Sequence, residues 1–324
     1  MVHVALRAGT YVLPYGGIAV TFDEASLQWA GRRLTDLVAV AELKVRGLKT
    51  RYRQSGIGAQ LAATPVTVQG DAYADDFLSS DAKVAVTTFL RLEHPRQQLT
   101  GSRLYGSLEA FLPQTTASSA ENTVAVGDRR IPLEIETTAT IAYALAESTI
   151  WKQEISHFFD NLGAKGAQRA ALNLEGPYRP ERIPVVLVHG TASSSGRWAE
   201  LLNRLVNDPR IRQRYQFWSF TYETGNPIGY SAMLLRDALR NVVARLDPDG
   251  QDPELFRAHS IIAVKSGGPV QEGDDGVVKY TSAHIDGVES ELVVRSDHSV
   301  QWAAEAIEEV RRILLLHAAD GGHK

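Results

Sequence analysis

Apolar and polar side chains alternate along much of the first half of the chain. This two-residue period extends through Val84–Leu92. It returns in the stretches 104–112, 123–126 and 131–135. It is typical of β-strands with one buried face, and Gly127-Asp128 between two of the stretches is a hairpin signal. Short strands at this interval predict a small sandwich or barrel.

Two other stretches of the first half have a helical period. Within Ser26–Ala63, the apolar residues from Leu34 to Ala41 have helical spacing, whereas 40–45 fits a strand as well, so two interpretations are retained there. Apolar residues of Ala139–Phe159 lie near one face of a helix. Glycines and prolines between 163 and 180 then predict a linker.

The second half changes to buried strands that alternate with amphipathic helices, the pattern of an open parallel α/β sheet. The predicted strands are 183–188, 215–222, 260–264 and 290–294, and the predicted helices are 197–206, 229–246 and 300–316. The expected organisation is a mixed, mainly β accessory domain over 1–150, a helix and linker over 151–182, an α/β domain over 183–317 and a flexible tail over 318–324.

Composition narrows the classes of function. The 324 residues include 34 lysines and arginines against 38 acidic residues, and no like-charged run forms a basic stripe, so nucleic acid is not an expected partner. The absence of cysteine excludes disulfides, thiolate catalysis and cysteine-based zinc sites. The histidines have no metal-ligand spacing, and no pattern calls for a cofactor.

No membrane span or export signal is expected from the sequence. The chain has no uninterrupted apolar stretch near the roughly 18 residues that a transmembrane helix needs. Met1–Leu13 has one basic residue and no apolar block long enough for a signal peptide. We therefore expect a soluble, cytoplasmic protein as the sequence is written, and a periplasmic or secreted one if an upstream segment is missing.

The most informative stretch for chemistry is 183–198, which reads IPVVLVHGTASSSGRW. A buried strand ends in His189-Gly190-Thr191 and is followed by small residues and a helix. Ligands of α/β sheets collect beyond the carboxyl ends of strands, where backbone N–H groups of a small-residue loop can face an anion. This arrangement suits an oxyanion hole, and a tight strand-to-helix turn without chemistry is the alternative.

The order of these elements resembles the α/β-hydrolase fold of bacterial lipases and esterases. The resemblance covers about 183–316, including the strand YQFWSFTYETG and the C-terminal stretch HSIIAVKSGGPVQEGDDGVVKYTSAHIDGVESELVVRSDHSVQ. In that fold the triad acid follows one strand and the histidine follows the next. The resemblance implies that Asp275 is the acid and His298 the general base. Gly190 and Thr191 would match the oxyanion loop.

The resemblance also implies the fold and the substrate. We expect a shortened α/β-hydrolase-like parallel sheet flanked by helices and preceded by a β-rich N-terminal domain, which looks like the accessory segment of some bacterial lipase-like proteins. The implied substrate is a small-molecule or lipid ester. Asp274 and Asp275 are adjacent, so one carboxylate can point inward to orient the base while the other stays in water.

The nucleophile of the resembled fold is missing. No serine has glycine both two positions before and two positions after it, as the G-x-S-x-G elbow requires. Ser194 and Ser266 each follow a strand and remain candidates, whereas Ser231 has methionine at the second small position and no strand before it. Only 13 residues, Asp247–His259, separate a helix from the next strand. The resembled fold needs on the order of 60 residues or more in that interval.

Three interpretations follow from this gap. The first is a serine-hydrolase-type carboxylic ester hydrolase, impaired or assisted by an unusual serine. The second is a non-catalytic α/β-hydrolase-like binding protein, and the third is an internally deleted form of a longer active lipase. If the strand 183–188 paired directly with 260–264, Ser194 or Ser266 would approach His298.

Overall fold

The computed structural model describes the chain in segments. They are residues 3–14, 16–43, 45, 48–67, 77–79, 81–98, 100–101, 103–113, 122–147, 170–188, 198–223, 226, 228–251, 260–265, 267–276, 279–284, 291–297, 300 and 303–320. The chain divides into two compact units. One comprises residues 1–76 and 80–148, and the other comprises residues 77–79 and 149–324.

The first unit is built mainly from strands. In chain order they are β1 (Gly9–Leu13), β2 (Gly16–Phe22), β3 (Gln28–Trp29), β4 (Arg32–Ala39), β5 (Arg53–Gln54), β6 (Ala59–Thr67), β7 (Val84–Leu92), β8 (Arg103–Phe111), β9 (Thr123–Val126), β10 (Arg129–Pro132) and β11 (Ile135–Glu136). Two α-helices, α1 (Pro95–Gln98) and α2 (Thr137–Glu147), and two short 3-10 helices, Glu24–Ser26 and Val40–Glu42, complete the described part of the unit.

Seven of these strands form one mixed sheet in the order β1-β2-β8-β7-β6-β4-β3. Only β2 and β8 run parallel within it. In the described segments the edge strands β1 and β3 are not joined, so this sheet is not the closed barrel that was one of the two expectations. The strand predicted over Val84–Leu92 is confirmed as β7.

A bulge in β4 explains why the helical interpretation of the stretch from Leu34 to Ala41 is wrong. The register against β6 shifts between Thr35 and Val38, and Asp36 between them has φ +46°. The bulge adds one residue, which turns Leu37 and Val38 both toward the core and gives a strand a helix-like apolar spacing. The alternative strand over 40–45 is also wrong at its start, since 40–42 form a short 3-10 turn.

The hairpin signal at Gly127-Asp128 is confirmed. Strands β9 and β10 pair with Val126 opposite Arg129, which leaves a two-residue turn. Gly127 has φ +63°, a left-handed conformation that glycine adopts without steric cost.

The second unit combines short sheets with longer helices. Its strands are β12 (Ala171–Leu174), β13 (Ile183–Val188), β14 (Tyr215–Thr221), β15 (Ser260–Ala263) and β16 (Glu291–Val294). Its helices are α3 (Ala199–Asn207), α4 (Pro209–Arg214), α5 (Ile228–Leu246), α6 (Tyr280–Ala283) and α7 (Ala304–Asp320). Strands β13 and β14 are parallel, as are β15 and β16, whereas β12 runs antiparallel to β14.

Two sequence expectations fail in this unit. The stretch 151–182 was expected to be helix and linker, yet Ala171–Leu174 forms an edge strand because its alternating residues Leu172 and Leu174 become buried against β14. The direct pairing of 183–188 with 260–264 is absent from the described segments, where β13 pairs with β14 and β15 pairs with β16. The part of the predicted helix beyond Glu147 lies outside the described residues.

Helices α3, α4 and α7 pack with β13 and β14 around one apolar cluster. Its fully buried members include Leu205 from α3, Ile211 from α4 and Ile307 from α7. The Tyr215 hydroxyl at the start of β14 donates a 2.6 Å hydrogen bond to the Leu314 carbonyl oxygen. Burial of these side chains is the main stabilising term for this half of the unit.

Candidate functional site

The buried carboxylate of Asp275 is the centre of the candidate site. Asp275 is 8% exposed, whereas its neighbours Asp274 and Gly276 are exposed. The inward orientation of one aspartate of the adjacent pair therefore appears in the structure, and the catalytic role of Asp275 stays a prediction. Burying a carboxylate is unfavourable unless polar groups compensate it, so such a position marks a candidate functional residue.

A tight turn holds Asp275 in this orientation. The Asp274 side chain accepts a hydrogen bond from the Gly276 backbone N–H at 2.8 Å, and Gly276 has φ +97°. The backbone of Asp274 forms an antiparallel bridge with Lys279. The Asp274 side chain binds within the turn and is exposed, whereas the Asp275 side chain is buried in the protein.

Backbone hydrogen bonds fix the loop to the carboxyl end of the β15–β16 pair. The Val264 N–H donates to the Val294 carbonyl oxygen at 2.9 Å, and the next N–H, of Lys265, donates to the Asp274 carbonyl oxygen at 2.7 Å. Asp275 thus follows the residue that binds Lys265, one position beyond the last hydrogen bond between the two strands. His298 comes four positions after Val294 in the sequence, so the segment that contains it starts from the same edge.

The other predicted site residues lie outside the described segments. They are Ser194, Ser266, His298, Gly190 and Thr191, together with His189. Their assignments therefore stay predictions based on the resemblance. Ser231, which the sequence disfavours, lies in the first turns of α5; it is 8% exposed, and its hydroxyl has no hydrogen-bond partner in the described segments.

A second polar cluster, not predicted from the sequence, joins the same loop to β16. The Tyr280 hydroxyl donates to Glu291 Oε1 at 2.7 Å, and His284 Nδ1 lies 2.7 Å from Glu291 Oε2. The rings of Tyr280 and His284 are stacked with centroids 5.4 Å apart. Hydrogen bonds from Tyr280 and His284 lower the pKa of Glu291 below the ordinary glutamate value.

This cluster is connected to the Asp275 loop by a backbone hydrogen bond. The Tyr280 N–H donates to the Gly273 carbonyl oxygen at 2.9 Å, so the residue that binds Glu291 is also attached to the segment that enters the aspartate turn after the short 3-10 helix Val270–Glu272. The spacing of Tyr280 and His284, four residues apart, was the available sequence signal.

Comparison with known proteins gives no relative for this chain: no family model, no curated protein and no solved structure matches it. In the part of the chain that the structure describes, no helix is both long enough and apolar enough to cross a membrane. The same segments contain no group of three or more histidine, aspartate or glutamate side chains placed to hold a metal ion.

Proposed function

We propose that this protein is a carboxylic ester hydrolase of the serine type, on a shortened α/β-hydrolase-like domain, with Asp275 as the acid and His298 as the base. The observation that carries the proposal is the buried Asp275 carboxylate at the carboxyl end of two adjacent parallel strands. The segment containing His298 leaves the same end. An acid on one strand loop and a histidine after the next strand is the order that such a triad requires.

Burial gives Asp275 the properties of a triad acid. A carboxylate shielded from water stabilises a neighbouring imidazolium more strongly than an exposed one, because the local dielectric constant is lower. The Asp275 carboxylate would also accept a hydrogen bond from one ring nitrogen of His298 and so fix its tautomer. The other ring nitrogen can then accept a proton from a serine.

The proposed reaction proceeds through an acyl-enzyme. Ser194 or Ser266 attacks the ester carbonyl carbon while His298 takes the hydroxyl proton, and backbone N–H groups near Gly190 and Thr191 stabilise the oxyanion. His298 then gives that proton to the leaving alkoxide. Water, deprotonated by the same histidine, cleaves the acyl-enzyme and restores the serine.

A fluorophosphonate labelling experiment tests the proposal. The reagent is attacked by an activated serine, and intact mass followed by peptide mapping identifies the modified residue. We expect one adduct on the folded wild-type protein and none on His298→Ala. Asp275→Asn should lower the labelling rate by about 10³- to 10⁴-fold, as expected for loss of the acid that orients the base.

Asp274→Asn is the matched control. It changes the adjacent, exposed aspartate and keeps an oxygen that can accept the Gly276 hydrogen bond, so labelling should continue at the wild-type rate. Equal rates for Asp275→Asn and wild type would contradict the role of the buried carboxylate.

A non-catalytic α/β-hydrolase-like binding protein is the second candidate function. The observation that favours it is the lack of any serine in a G-x-S-x-G elbow. Absence of an adduct on folded wild-type protein would support this candidate against the hydrolase.

A further inference from the structure

A turn rich in charge precedes β13. Residues Arg179 to Arg182 form a tight turn in which the Arg182 N–H donates to the Arg179 carbonyl oxygen at 3.0 Å, with Pro180 at its second position. Proline suits that position of a β-turn because its φ is already fixed near the required value. The turn brings the side chains of Arg179 and Arg182 to the amino end of the strand.

A buried glutamine in β14 fixes this turn. Gln216 is 8% exposed and binds the turn three times. Its Oε1 accepts from the Arg179 N–H at 3.2 Å, and its Nε2 donates to the carbonyl oxygens of Arg179 at 3.1 Å and Arg182 at 2.7 Å. The two arginines are therefore held by a rigid backbone rather than by a loose loop.

Helix α4 brings further guanidinium groups to the same place. Ile183 is paired with Tyr215, so Arg182 and Arg214, the residues before them, lie side by side where the two strands begin. Arg214 donates from Nη1 to the Glu181 carbonyl oxygen at 3.2 Å. Arg212, one half-turn earlier in α4, donates from Nη1 to the Val206 carbonyl oxygen at 2.9 Å.

The positive charge of this group is only partly balanced. Burial, followed by the nearby charges of Arg179 and Arg212, lowers the pKa of Arg182, and Glu181 is the carboxylate that opposes them. Burial also lowers the pKa of Arg212, where Asp208 opposes it.

The Asp208 carboxylate is engaged elsewhere. It binds Arg210 at 2.9 Å and Arg311 at 3.0 Å. The half-buried arginines Arg179, Arg182 and Arg212 are therefore opposed by the exposed Glu181 carboxylate and by an Asp208 carboxylate that Arg210 and Arg311 already bind.

Arg182 also has an unused donor. Its Nε is shielded from solvent and has no hydrogen-bond partner in the described segments. Leaving a buried charged donor without an acceptor is unfavourable, so an acceptor supplied by a ligand would stabilise the protein here.

We propose that Arg179, Arg182 and Arg212 form a binding site for a phosphate group, either as free phosphate or on a soluble phosphomonoester. Guanidinium groups match phosphate oxygens in paired hydrogen bonds, and several of them together favour a dianion over a singly charged carboxylate. The site lies at the amino end of β13, whereas the expected oxyanion loop follows its carboxyl end, so this inference is independent of the proposed hydrolase activity.

Calorimetric titration with inorganic phosphate tests the site, with sodium acetate at matched ionic strength as the anion control. Wild-type protein should bind phosphate and not acetate. Arg182→Gln should weaken phosphate binding by about 10- to 100-fold, the effect of losing one charge-assisted hydrogen-bonding group. Arg312→Gln is the matched control, because Arg312 belongs to the same unit and is already paired with Glu309 on α7.

Glycerol phosphate in a parallel titration distinguishes the two sources of the group. Tighter binding than inorganic phosphate indicates a phosphomonoester ligand, and weaker binding indicates free phosphate. Arg179→Gln provides a second variant if Arg182→Gln does not fold. Absence of phosphate binding to wild type, or equal binding to wild type and both turn variants, would overturn the proposal.

Discussion

Asp208 connects two helices that are about a hundred positions apart in the chain, and its substitution gives the sharpest stability test. Its side chain is 9% exposed and caps α4 by accepting from the Arg210 N–H at 3.0 Å. The same carboxylate accepts from Arg311 Nη2 in α7 at 3.0 Å. Hydrogen bonds from Arg210 first, and then from Arg311, lower the pKa of Asp208, although burial opposes the shift.

The magnitude follows from these contacts. Loss of the cap costs about 1 kcal/mol. The ion pair with Arg311 adds about 1 kcal/mol, less than a fully buried charged hydrogen bond because the Arg311 side chain is 38% exposed. Asp208→Ala should therefore lower the free energy of unfolding by about 2 kcal/mol. Asp208→Asn retains a capping oxygen and should lower it by about 1 kcal/mol.

Urea unfolding followed by tryptophan fluorescence and by far-UV circular dichroism measures the change, and coincidence of the two signals checks that one transition is observed. A double-mutant cycle isolates the pair of Asp208 and Arg311. The control cycle uses Glu309 and Arg312, an ion pair within α7 that should couple by about 0.2–0.5 kcal/mol. A coupling for Asp208 and Arg311 no larger than that of the control would refute the argument.

Three further tests use single substitutions. Leu205→Ala removes a side chain that is 1% exposed in the core of the second unit, and it should lower the free energy of unfolding in urea by about 2–5 kcal/mol. Leu316→Ala, at a half-exposed position on α7, should change that free energy by less than about 0.5 kcal/mol. Gly127→Ala should cost about 1–2 kcal/mol through backbone strain alone, since nothing lies within 4 Å of the added Cβ and φ is +63°; an unchanged midpoint would mean that the turn rearranges. Because the folded-state pKa of Glu291 is lowered, its stabilising contribution is present above the ordinary glutamate value of 4.5 and is lost as pH falls through the folded pKa. The difference in Tm between wild type and Glu291→Gln should therefore shrink on acidification below that value, and a growing difference would contradict the assigned shift.

The sequence predicts elements where local pattern and tertiary burial agree. The run Ile183–Val188 is confirmed as β13, and the alternation over Val84–Leu92 is confirmed as β7. The prediction fails where one inserted residue changes the spacing of the apolar side chains. The bulge of β4 gives Leu34, Leu37 and Val38 a helical spacing within a strand. No local sequence signal indicates the inserted residue.

The candidate sites differ in how far the sequence reveals them. Asp275 was predicted from the order of acid and histidine in the resembled fold, and the local turn at Gly276 accounts for Asp274 being the exposed member of the pair. The arginine site could not, since Arg182 lies beside the arginines at the end of α4 only through the register that pairs Ile183 with Tyr215. Such a register depends on side-chain packing between strands and cannot be read from either segment alone.

The substitution Asp275→Asn distinguishes a catalytic role of the buried carboxylate from a structural one, because the two roles predict different responses. A carboxylate that is buried for stability must be compensated by its surroundings, and its replacement by a neutral amide then lowers the Tm. A carboxylate that orients a catalytic histidine contributes little to folding, so the amide leaves the Tm unchanged or raises it while labelling by fluorophosphonate is lost. Hydrogen bonds of Asp274, Lys265 and Tyr280 also hold the backbone of this turn. Loss of labelling together with a large drop in Tm would assign Asp275 to the framework of the loop, and retained Tm with lost labelling would assign it to the reaction.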